Sequence, residues 1–121
     1  MNEKQFRFQD LEIWKRGAEL SGKLFRLADE LEKQRLFRFA EQLRGATLSI
    51  TNNIAEGSGS VSDIDFANFL NISRRSVFEV ANILMVLSKN NYLRSEEVQP
   101  FLVELEEQSR MLSAFRRTLK S

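Results

Sequence analysis

Apolar residues recur along this chain at alternating steps of three and four, in four successive runs that almost nothing interrupts. Leu11, Trp14, Ala18, Ser21, Phe25 and Ala28 form the first run, widened by Leu20, Leu24, Leu27 and Leu31. Leu36, Phe39, Leu43, Ala46, Ile50 and Ile54 form the second. Phe66, Leu70, Ser73, Val77, Val80, Leu84 and Leu87 hold the spacing for three heptads. Val98, Phe101, Leu102, Leu105, Leu112, Phe115 and Leu119 supply the last. A helix collects such positions on one face, whereas a strand would divide them between two. One proline and five glycines in 121 residues leave little to break the helices. The expectation is an all-α chain, one domain over residues 1–121, with helices spanning about 9–30, 36–57, 63–90 and 96–119. Four such helices on short loops pack most simply as an antiparallel up-down-up-down four-helix bundle.

The helix boundaries are unequally marked. Ser62 suits the N-cap of the third helix, with Asp63 and Asp65 in its first turn and Asp65 at the capping-box position. Gly57 is placed to end the second helix as a left-handed cap. Asn90-Asn91 ends the third. Residues 29–35 hold neither glycine nor proline, so the first turn is located only to within a few residues. Pro100 suits a first turn, which draws the start of the regular fourth helix toward it.

Chemistry is limited by what is missing. The chain has no cysteine and no histidine. Disulfides, thiol nucleophiles, the usual zinc ligand sets and the commonest general base are therefore unavailable to it. Ser49, Ser58, Ser60 and Ser62 lack a base to activate them. The turn Gly57-Ser58-Gly59-Ser60 lacks the lysine and spacing of a phosphate loop. No catalytic residue, metal ligand or cofactor is assigned, and the expectation is a protein that is not an enzyme. Glu56 and Glu79 fall near the inward side of neighbouring helices. Polar groups so placed in a bundle fix register more often than they perform chemistry. Asn53 and Glu56 are expected to hydrogen-bond across to adjacent helices or to the turn. No apolar run is long enough to span a bilayer and the start has no signal-peptide pattern, so a cytoplasmic location without membrane association is expected.

Eighteen basic and seventeen acidic side chains give a net charge of +1, without the basic excess of a dedicated nucleic-acid module. Local clustering must then supply any such surface. The antiparallel arrangement brings the chain start, the turn after Gly57 and the C-terminus to one end. Lys4, Arg7, Arg116, Arg117 and Lys120 meet there, diluted by Glu3, Asp10, Asp63 and Asp65. Arg74 and Arg75 add charge along the third helix. Phe78 and Met85 lie on its outward side, seven residues apart, and mark a candidate oligomer interface.

One stretch carries more specific information. Ser49-Ile50-x-x-Asn53-Ile54-Ala55-Glu56-Gly57 resembles the signature of the four-helix-bundle proteins encoded in intervening sequences of bacterial 23S ribosomal RNA genes, once called S23 proteins. Phe8-x-x-Leu11-x-x-Trp14 is similar to that family's opening, and Gln42-Leu43-Arg44-x-Ala46 precedes the signature. Phe66-x-x-Phe69-Leu70 and Ser76-Val77-x-Glu79 resemble its third helix. The family in turn looks like the accessory variability proteins of diversity-generating retroelements. That resemblance implies a homo-oligomer, a pentamer in those relatives, and association with RNA or DNA. It implies a reverse transcriptase as partner in a retroelement context alone. The chain departs from the family pattern at Ser60, where a basic residue is usual, and at Arg75, where glycine is usual. Positive charge is thereby moved from the turn to the third helix.

Overall fold

The computed structural model describes residues 5–119. A single 3-10 turn, Arg7–Asp10, leads into α1 (Glu12–Lys33), α2 (Phe37–Ser58), α3 (Asp63–Lys89) and α4 (Ser95–Arg117). The helices run antiparallel in chain order. α2 packs on α1 and α3, α3 packs on α4, and α1 closes against α4 more loosely. Leu24, Leu43, Ile54, Phe66, Leu84 and Leu105 are among the side chains sealed between them.

The buried stripe of α1 is Ile13, Gly17, Leu20, Ser21, Leu24, Leu27, Ala28 and Leu31, so Ser21 and Ala28 of the expected seam are buried. Trp14, Ala18 and Phe25, expected in the seam, sit half-buried at its margin. Gly17 explains the rotation. A Cβ there would approach Thr51 Cγ2 to 3.1 Å and Gln108 Nε2 to 3.2 Å, so the missing side chain admits two neighbouring helices. Polar bonds then lock the helix pairs. Ser73 Oγ donates to the Ile50 carbonyl at 2.7 Å, and Gln108 Nε2 donates to the Ile13 carbonyl at 2.8 Å. Both side chains are buried, where an unpaired carbonyl or amide is costly.

Three turns close the bundle, and the glycines do not do what their positions suggest. Gly57 was expected to end α2 in a left-handed conformation. It lies inside the helix instead, which runs to Ser58 and is capped by Gly59 at φ −85°. The left-handed residues are Arg35 (φ 67°) and Asn91 (φ 66°). After α1, the amides of Arg35 and Leu36 reach the carbonyls of Glu32 and Leu31 at 2.8 and 3.0 Å. After α3, the amides of Asn91 and Tyr92 reach those of Ser88 and Leu87 at 3.1 and 2.9 Å. Both are Schellman motifs, in which the apolar residue after the cap folds back over the last turn. Ser62 begins α3 as its residue type dictates, accepting the Asp65 amide at 3.0 Å. α4 starts at Ser95 rather than near Pro100, which sits inside it. The carbonyl that Pro100 leaves without an amide belongs to Glu96, which is exposed in the first turn of the helix.

Candidate functional site

The signature residues fall on the seam where α2 meets α3. Ser49 Oγ lies 2.8 Å from Ser76 Oγ and joins the two helices. Asn53 Nδ2 donates to the Ser49 carbonyl at 2.8 Å and to Ser49 Oγ at 3.0 Å. Asn53 thus turns back on its own helix, and the expected reach to a neighbour is made by Ser49. Gly57 lies against α3: a Cβ there would come within 2.6 Å of Phe69 Cβ and 2.8 Å of Phe66 Cδ1. A close approach of backbones demands this glycine.

Glu56 and Glu79 are both exposed, contrary to the inward placement expected from sequence. A helix turns by about 100° per residue, so burying Ile50, Ile54 and Gly57 forces Glu56 outward. Its carboxylate has no hydrogen-bond or ion-pair partner among the described residues. Ser49 opposite Ser76 and Ile50 opposite Ser73 set the register. That register separates Glu56 from Glu79 by about 16 Å along the helix axes at 1.5 Å per residue. The two do not form a carboxylate pair. Among the described residues no group of three or more acidic side chains is placed to hold a metal, and no helix is long and apolar enough to cross a membrane.

The cations divide into two sets. Arg44 bonds Asp29 at 2.7 Å, Glu32 at 2.6 Å and Glu41 at 3.0 Å. Asp29 foremost, then Glu32 and Glu41, raise its pKa above the ordinary guanidinium value, so it stays charged wherever the protein is folded. Arg16 pairs with Glu107 and Lys23 with Glu104, at 2.9 and 3.1 Å, across α1 and α4. Arg7, Arg74, Arg75, Arg116 and Arg117 form no ion pair among the described residues. Arg7 and Arg116 converge on the first turn of α3. The Arg7 guanidinium lies 5.0 Å over the Phe66 ring, and Arg116 Nε donates to the Ala67 carbonyl at 3.1 Å. Arg117 stands on the same last turn of α4. Arg74 and Arg75 are two turns further along α3, so the structure separates them from the end cluster. Lys4 and Lys120 lie outside the described residues.

The outward side of α3 carries an apolar groove. Phe78 is 57% exposed and Met85 47%. With Val77, Ala81, Leu102 and Leu105 they border a depression of about 350 Å³ between α3 and α4. The Arg74 guanidinium lies 4.9 Å over the Phe78 ring at its edge. Leu102 and Leu105 were legible only as core positions of α4, because a sequence does not reveal where two faces leave a gap. A second feature, an aromatic ladder of Phe6, Phe8 and Trp14 at the chain start, emerges only in the structure.

The model of the 23S rRNA-intervening sequence protein family matches residues 9–114. The chain belongs to that family. Its fold is also that of a crystal structure from Bacteroides thetaiotaomicron, a protein of unknown function from the S23 ribosomal protein family. The two agree with a TM-score of 0.81 at 24% identity, over 86% of this chain and 97% of the other. No curated protein matches the sequence. Family membership therefore accounts for the signature seam and the bundle, and it brings no catalytic assignment with it.

Proposed function

We propose that this member of the intervening-sequence family is a non-enzymatic bundle that self-assembles and associates with nucleic acid. The observation that carries the reading is the convergence of Arg7 and Arg116 on the first turn of α3, with Arg117 beside them and no ion pair to any of the three among the described residues. Asp63 and Asp65 share that end, and Asp65 is engaged by the Ser60 hydroxyl at 2.6 Å. A +1 protomer is a weak ligand for phosphates alone. Copies that align like-signed ends concentrate the charge and deepen the local potential. The Phe78–Met85 groove supports such assembly, and the resemblance to the retroelement accessory proteins favours a pentamer. A protein-interaction scaffold without a nucleic-acid role is the second reading, supported by the same groove.

Sedimentation across a concentration series, followed by RNA and DNA titrations at several salt concentrations, separates the readings. Phosphate contacts make log K fall linearly with log salt, by about 0.9 per neutralised phosphate on duplex DNA. The proposal expects an oligomer and a steep slope that flattens in an Arg7→Gln, Arg116→Gln, Arg117→Gln variant. Negligible binding at low salt by an intact oligomer removes the nucleic-acid role and leaves the scaffold.

A further inference from the structure

Phe6 is 62% exposed, yet it is held in place. Gln9 Oε1 accepts the amides of Gln5 and Phe6 at 3.0 and 2.8 Å, and the Gln9 amide returns to the Phe6 carbonyl at 3.1 Å. The Phe6 ring stacks on Phe8 with centroids 5.7 Å apart and planes 19° from parallel. Phe8 meets Trp14 at 5.0 Å with planes tilted by 57°, and Trp14 is half-buried in the body of α1. Three rings therefore form a ladder that begins in the protein and ends in an open aromatic face. Arg7, between two of its rungs, reaches over Phe66 and has no carboxylate partner among the described residues. The ladder, Arg7, Arg116 and Arg117 thus occupy one end of the bundle.

We infer that this end takes single-stranded nucleic acid, with an unpaired base continuing the stack on Phe6 while the neighbouring phosphates meet Arg7, Arg116 and Arg117. The inference rests on the nucleic-acid reading above and narrows its substrate class. Every base has a π-face, so a stacking platform is tolerant of sequence. In a duplex those faces are already covered by neighbouring pairs, and a protruding ring has nothing to receive. An apolar partner would also cover Phe6. The adjoining uncompensated guanidinium groups favour a ligand that is aromatic and anionic at once.

The test is fluorescence anisotropy of the full chain with a labelled oligouridine or oligothymidine, against a duplex of equal length at the same salt. The unpaired strand is expected to bind more tightly. Phe6→Ala should melt as the parent does and lose at least about fivefold in single-strand affinity, the scale of one base–aromatic stack. Its duplex affinity and salt slope should not change. Phe6→Trp should restore single-strand binding. Phe37→Ala, which removes an exposed ring at the far end of the bundle, should have no effect. Trp14 is the chain's single tryptophan, so its emission reports occupancy of the ladder. Equal binding of strand and duplex, unmoved by Phe6→Ala, overturns this inference and leaves the broader reading standing. A smaller assembly on Phe6→Ala would make the ring a subunit contact and also overturn it. Absence of all binding at low salt removes both.

Discussion

A Cβ at Gly57 would lie 2.6 Å from the Phe69 Cβ, while one at Gly45 would meet nothing within 4 Å. The same substitution should therefore have opposite signs at two positions of one helix. Gly57→Ala forces α2 and α3 apart and is expected to cost about 1–3 kcal/mol, the range of overpacked cores. Gly45→Ala removes backbone entropy from an exposed helix interior and should add about 0.5–1 kcal/mol. Urea denaturation of the two variants decides between this contact and a cap, since a cap residue with negative φ would tolerate alanine. Asn53→Leu loses both bonds to Ser49 and leaves the Ser49–Ser76 bridge less constrained, so a loss of about 1 kcal/mol is expected. Glu56→Leu, by contrast, removes no bond and should stay within about 0.5 kcal/mol of the parent. The signature was thus legible as a motif, but the separate tasks of its residues were not. Those tasks depend on the phase of α2 against α3, which no residue within the motif encodes alone.

At the scale of the helices, the turns and the buried polar bonds define the arrangement. Arg35 adopts the left-handed conformation without being glycine, which costs roughly 1 kcal/mol for an L side chain. Arg35→Gly is expected to recover much of that and raise the melting temperature; an unchanged or lower value would show that the Arg35 side chain contributes something the turn needs. Gln108 tests the closure of α1 on α4. Gln108→Met keeps the shape and removes one hydrogen bond to a buried carbonyl, for an expected cost of about 1–3 kcal/mol. Thermal melting with hydrogen exchange at the start of α1 would place that loss at the α1–α4 contact. Helix existence was readable throughout, because four long apolar periods allow few alternatives. The caps were not. The sequence offers glycines at the turn that needs no left-handed residue and withholds them from the two that do.

For the whole molecule, the open question is what covers the groove between α3 and α4. Phe78→Asp places a carboxylate on a face already exposed in the protomer, so the fold should survive the change. If the groove is the assembly face, the variant sediments as a smaller species and its melting temperature loses its dependence on protein concentration, as mass action requires. An unaltered mass would assign the groove to some other partner. The near-balance of charge makes the same point in electrostatic form. Ion pairs between helices occupy Arg16, Lys23 and Arg44, and the cations without an ion pair among the described residues include Arg7, Arg116 and Arg117 at one end and Arg74 and Arg75 along α3.

By itself the sequence determined the class of structure. Apolar spacing of three and four requires helices, the short links require antiparallel neighbours, and missing histidine and cysteine remove imidazole and thiol chemistry. The motif from Ser49 to Gly57 pointed to the family in which the chain belongs. Only the tertiary structure decided where those residues act. Helical phase turned Glu56 and Glu79 outward, and the α2–α3 register offset them by about 16 Å along the helix axes. Close approach of α3 made Gly57 a contact rather than a cap, and chain reversal set Arg7 beside Phe66 and Arg116 beside Ala67. These are relations between residues distant in the chain. A local pattern specifies which face of a helix is buried, and the packing of four such faces specifies what meets at their ends.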